Sequence, residues 1–211
     1  MALDLEEQEQ VDELKAWWHD HGKQVIIVVT VFVLSVAGWR GWEAYQVKQS
    51  EGAAALFDVL RKELATNDTK KIRDAAGQLI DKFPRTSYAT DAAMIAAKVN
   101  FESGDPKSAK AQYQWVIAHA KQPQSKDLAH LRLAIVLLDE KNYADALKQL
   151  DSKHDAAFDP LFNDLKGDIY ALQGQSKEAR SAYQAALEKL PKDSPFRNLV
   201  QLKLDALGEQ G

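Results

Sequence analysis

Asn163 to Pro191 reads NDLKGDIYALQGQSKEARSAYQAALEKLP, two short helices folded back to back around Gly174-Gln175. Small residues at Gly167 and Ala179 let the two antiparallel helices approach closely, and Tyr170 and Tyr183 fill the space around that contact. Gly174 supplies the left-handed conformation that ends the first helix, and Pro191 stops the second. This one hairpin decides the fold, because its pattern recurs along the chain.

Gly167, Tyr170, Gly174, Ala179, Tyr183, Ala186 and Pro191 together resemble a tetratricopeptide repeat. Counting back 33 residues from Ala179 reaches Ala146, with Leu133 and Ala134 in the preceding helix. A further 37 reaches Ala109, with Ala97 and Tyr113, and another 34 reaches Ala75, with Leu79. The spacing clusters near the roughly 34-residue period of that repeat, and the longer step implies a small insertion around Pro123 to Asp127. Asp105-Pro106, Asp159-Pro160 and Ser194-Pro195 each place a capping side chain before a proline at the first helical position, punctuating the register independently.

Phe196, Leu199, Val200, Leu204 and Leu207 form one stripe on a final helix, expected to cap the open face of the last hairpin. At the other end, Gln46 to Leu64 is expected as one long helix packing Leu56, Phe57, Leu60 and Leu64 inward. The expected fold class is all-α: an N-terminal transmembrane helix, a tetratricopeptide-repeat-like helical solenoid and a C-terminal capping helix.

The transmembrane helix rests on Val25 to Trp39, VIIVVTVFVLSVAGW, fifteen residues without a charge. Ten are Val, Ile, Leu or Phe, together worth roughly −3 to −6 kcal/mol of insertion. Fifteen residues span only ~22 Å against a hydrocarbon core of ~30 Å. The flanks extend the reach: Lys23 and Arg40 snorkel to the headgroups, and Trp17, Trp18, Trp39, Trp42 and Tyr45 are rings suited to the two interfaces. Val25, Phe32, Trp39 and Trp42, with Lys23 and Arg40, therefore define the expected anchor. Ser35-Val36-Ala37 before Gly38 resembles a signal-peptidase site, but a secretory leader is short and positive, whereas residues 1–24 carry seven acids against Lys15 and Lys23. An uncleaved signal anchor is the better reading. Lys15 and Lys23 before the span balance Arg40 and Lys48 after it, so charge counting leaves the orientation open.

In the leader, Val11, Leu14, Trp17 and Trp18 share one face of a short amphipathic helix, expected to end at Gly22 as a C-cap. The chain thus divides into residues 1–24, the leader; 25–45, the signal anchor; and 46–211, the repeat domain.

A net charge of −4 with both signs interspersed offers no basic patch for nucleic acid, and the absence of cysteine excludes disulfide and thiolate chemistry. His19 and His21 flank Asp20, but neighbours on a helix project in different directions, and His119, His130 and His154 share no metal-ligand spacing. No catalytic, cofactor-binding or metal-ligating set is expected. Acidic pairs such as Asp139-Glu140, or Asp164 with Asp168, read as solvated helix faces.

A helical solenoid offers a concave surface built mainly from the first helix of each hairpin. In this register it takes Met94, Lys98, Phe101 and Glu102, then Leu131, Ile135, Leu138 and Asp139, then Asp164 and Asp168. Apolar positions with a charged border suit an extended peptide or a partner's helix. The competing reading makes Leu131, Ile135 and Leu138 core of a short closed array.

An anchor followed by degenerate repeats is similar to the YfgM family. The similarity is carried by Gln10-Val11 and Lys15, Gly22-Lys23, Gly38-Trp39-Arg40, Trp42, Gln46, the hairpin with Leu131, Leu133 and Ala134, and Asp164 to Tyr183. It implies an inner-membrane protein with a cytoplasmic N-terminus and a periplasmic repeat domain. It also implies association with the SecYEG translocon and with a membrane-anchored periplasmic chaperone of the prolyl isomerase type, helping to pass exported polypeptides to periplasmic chaperones, without catalytic residues. The alternative is a tetratricopeptide scaffold for envelope or cell-wall assembly with no tie to the translocon.

Overall fold

The computed structural model describes residues 2–208, all helices and connections with no strand among them. Helix α1 runs Ala2–Thr66 and is followed by α2 (Thr69–Lys82), α3 (Ser87–Glu102), α4 (Pro106–His119), α5 (Pro123–Asp139) and α6 (Tyr143–Leu150). A 3-10 turn, Ala156–Phe158, leads into α7 (Asp159–Leu172), α8 (Ser176–Lys189) and α9 (Pro195–Ala206). The chain divides into two compact units, residues 1–49 and 50–211.

In the first unit every residue from Ile26 to Trp39 is exposed, so the apolar stretch has no protein partner. It belongs to a helix long and apolar enough to cross a membrane. Residues 2–24 are helical and run into this stretch without a break, so Gly22 is not a C-cap. The Trp18 ring lies over Gly22, where a Cβ would come within 3.1 Å of it. Glycine is there to accept an indole, and His21 stacks on Trp17 with ring centroids 5.4 Å apart.

The second unit is the repeat domain, whose core falls into three clusters. Ala53 and Leu60 of α1 pack with Ile72, Ala76 and Leu79 of α2 and with Ala92 and Ala96 of α3, and Leu56, Phe57 and Leu64 close the edge as the sequence predicts. Ala93, Ala97, Tyr113, Val116, Leu133, Ala134 and Phe162 form the central cluster. Ala179, Tyr183, Ala186, Val200 and Leu204 form the last, with α9 as the cap. Leu199, placed by sequence on the capping stripe, faces outward at 47% exposure; Phe196, Val200, Leu204 and Leu207 make the contact. Arg197 also ties the cap down, donating to the Leu187 and Leu190 carbonyls left open at the end of α8.

The turns of the α3–α4, α5–α6 and α7–α8 hairpins repeat one geometry. At each, the second residue after the helix sits at positive φ: Gly104 at 80°, Lys141 at 58° and Gly174 at 75°. The following residue's N–H reaches back to close the helix, Asp105 to Asn100, Asn142 to Leu137 and Gln175 to Tyr170.

Asp105 caps α4 as expected, accepting from the Ser108 N–H at 3.0 Å, and that bond holds its carboxyl below the usual range. Ser194 precedes Pro195 at the start of α9 but makes no side-chain capping bond. Asp159 departs from the expectation: it is already helical, and its carboxylate meets His154 Nε2 at 3.2 Å instead of capping α7. Where the sequence predicts the insertion, α5 begins eleven residues before Ala134, against ten for α3 before Ala97 and eight for α7 before Gly167.

Candidate partner-binding cleft

The repeat register brings the first helices of successive hairpins side by side, and between α3 and α5 they leave an open cleft of about 460 Å³. Its walls are Met94, Ile95 and Phe101 from α3 and Leu128, Ile135 and Val136 from α5, with Tyr113 of α4 between them. Lys98, Glu102 and Arg132 supply the polar border. The arrangement follows from helical periodicity: Met94, Ile95, Lys98, Phe101 and Glu102 recur at three- and four-residue steps, so they share one face.

A second open cleft of about 540 Å³ lies on the other side of α3, lined by Leu64, Asn67, Thr69 and Ile72 together with Val99 and Ser103. Ile95, Lys98 and Glu102 border both, so the two form one surface crossing α3. Lys98 and Glu102 pair at 3.7 Å with both side chains mostly exposed, a contact too solvated to hold them in place.

Of the ten residues read from sequence as concave, Met94, Lys98, Phe101, Glu102 and Ile135 come together in this cleft. Leu131 does not: at 7% exposure it belongs to the central core, as the closed-array reading has it. Leu138 is half-buried against the same core, and Asp139 is exposed at the end of α5.

Asp164 is buried and Asp168 half-buried, and both are already taken up by side chains of this domain. Lys203 of α9 donates to both oxygens of Asp164 at 2.9 Å and to Asp168 at 2.8 Å, while the Tyr183 hydroxyl donates to Asp168 at 2.8 Å. Burial pushes the Asp164 carboxyl up, outweighing its bonds to Lys203. Burial raises the Tyr183 hydroxyl too, assisted by its bond to Asp168. For Lys203 burial acts downward, yet the carboxylates of Asp168 and Asp164 prevail and the ammonium is raised. These groups clamp the cap.

Sequence reasoning missed Arg132, Leu128 and Ile95 as cleft residues. The register contained the signal, since Arg132 lies 37 residues after Ile95, the same step that relates Ala109 to Ala146.

A family model described as a tetratricopeptide repeat-like domain matches residues 15–209. The chain is 35% identical over 211 residues to the Ancillary SecYEG translocon subunit of Neisseria gonorrhoeae, covering 98% of this chain and 100% of that protein. Proteins of the same name from Aggregatibacter actinomycetemcomitans and Escherichia coli are 28% and 25% identical, each over 98% of this chain and, respectively, 100% and 99% of their own. On both grounds the chain belongs to the YfgM family of tetratricopeptide repeat-like proteins, whose curated members carry the name ancillary SecYEG translocon subunit.

Proposed function

We propose that this chain is a non-enzymatic inner-membrane protein ancillary to the SecYEG translocon, anchored by α1 with its N-terminus in the cytoplasm and its repeat domain in the periplasm. There the α3–α5 cleft receives exported polypeptides, or the membrane-anchored prolyl-isomerase-type chaperone that takes them on. The observation that carries this reading is the open apolar cleft with a charged border, set in a chain that matches translocon subunits over their full length. A tether raises local concentration to the millimolar range, so a weak cleft contact is enough once the domain is held where chains emerge.

Photo-crosslinking from Trp42 and from Ile135 in growing cells tests it. Trp42 adducts with translocon subunits and Ile135 adducts with exported polypeptides or a periplasmic chaperone are expected. Recovery of cell-wall enzymes alone would instead establish an envelope-assembly scaffold.

A further inference from the structure

The last hairpin shows what this repeat does with a carboxylate. Asp168 sits between two donors, the Tyr183 hydroxyl and the Lys203 ammonium, each at 2.8 Å. Stepping back by the repeat intervals of 33 and then 37 residues carries Tyr183 to Leu150 and then Tyr113, and Asp168 to Ile135 and then Lys98. The middle hairpin is therefore apolar at both places. The α3–α4 hairpin keeps the tyrosine, but a lysine stands where the carboxylate was.

Tyr113 lines the α3–α5 cleft, and two cations border the same cleft, Lys98 from α3 and Arg132 from α5. Among the described residues Arg132 forms no ion pair, and the only acid paired with Lys98 is the solvent-exposed Glu102. The cleft thus repeats the donor half of the last hairpin, a buried tyrosine and a cation from the following helix, while the one carboxylate on its border, Glu102, is exposed to solvent and loosely paired with Lys98. Burial raises the Tyr113 hydroxyl, with the Arg132 charge acting against that rise and the Glu102 charge adding to it.

We propose that the α3–α5 cleft binds an acidic side chain carried within an extended apolar stretch of polypeptide, the carboxylate lying among Tyr113, Arg132 and Lys98. The inference rests on the cleft being the polypeptide-binding surface and adds what it selects. The acid belongs inside the bound stretch because the surface continues across α3 into the second cleft, so a chain passes along it in both directions. Arg132 offers two parallel N–H donors to a carboxylate, and charge-assisted bonds of this kind are about twice as strong as neutral ones.

The test uses the full-length chain in nanodiscs and three fluorescein-labelled ten-residue peptides. One has a central Asp flanked by Leu and Val, with an amidated end. The second replaces Asp by Asn. The third keeps Asn but has a free C-terminal carboxylate. The Asp peptide is expected to bind about tenfold more tightly than the Asn peptide. Arg132→Gln, at an exposed position that leaves the thermal transition in place, is expected to erase the difference, and Tyr113→Phe to reduce it. Equal binding of the Asp and Asn amides overturns the inference and leaves the cleft as a general apolar surface. Tighter binding of the free acid than of the Asp amide overturns it in favour of a chain terminus. Failure of all three to bind overturns the polypeptide-binding reading itself.

Discussion

The Tyr183 ring fills the space in which a Gly167 Cβ would stand, and its hydroxyl donates at 2.8 Å to Asp168, the residue after that glycine. The same tyrosine therefore sets the distance between α7 and α8 and orients the carboxylate that holds α9. Gly167→Ala gains about 1 kcal/mol of helix propensity but forces the ring to move, an overpacking cost of about 1–3 kcal/mol. Net destabilisation is expected, larger for Gly167→Val, and Tyr183→Leu should relieve much of it in the double variant. Thermal unfolding of the unaltered chain, Gly167→Ala, Tyr183→Leu and the double variant checks this; additive losses would show that glycine and ring do not meet.

Alkaline pH should loosen the cap. Tyr183 and Lys203 are both raised above their ordinary values of 10.0 and 10.5. Above those values the unfolded chain loses its protons first and so holds fewer than the folded one, and stability falls as pH rises. Their contribution is complete below about pH 10 and is lost as pH climbs past it. Urea unfolding between pH 9 and 11 is expected to show a shallower decline for Tyr183→Phe than for the unaltered chain; parallel declines would contradict the coupling.

Lys141 occupies the left-handed position that Gly104 and Gly174 fill in the neighbouring hairpins. A residue with a Cβ pays roughly 1–2 kcal/mol there, partly offset by the greater chain entropy that glycine loses on folding. Lys141→Gly is expected to stabilise the domain by about 0.5–1 kcal/mol, seen as a higher Tm. Gly174→Ala, at φ 75°, should do the reverse.

The anchor rests on a modest sum. An arginine at the centre of a span costs about 2.5–3.5 kcal/mol, against roughly −3 to −6 kcal/mol from the apolar run. Phe32→Arg should leave insertion near balance, and Val29→Arg with Phe32→Arg should release the protein on alkaline carbonate extraction. Full retention of the double variant in the pellet would mean that something other than this helix holds it.

The hairpins, their register, the capping helix and the apolar stretch were legible because each depends on contacts within a few turns of chain. Gly167 against Tyr183, Asp105 before Pro106 and Gly174 at positive φ are local matters of sequence. What was not legible depended on distant partners. Asp164 and Asp168 read as solvated because Lys203, which takes them up, lies on another helix 39 and 35 residues along the chain. Leu131 and Ile135 share a helix face, and only the packed neighbours decide that one is core while the other borders the cleft. Gly22 looks like a stop signal until the Trp18 ring is seen to lie over it.

Protease digestion of spheroplasts, with the leader and the C-terminus separately tagged, tests the proposed arrangement most directly. The account predicts that protease added from outside removes the C-terminal tag, while a fragment with the leader tag and α1 stays in the membrane. A protected C-terminal tag, or a repeat domain released in soluble form by osmotic shock, would contradict it and take from the cleft its access to polypeptides leaving the translocon.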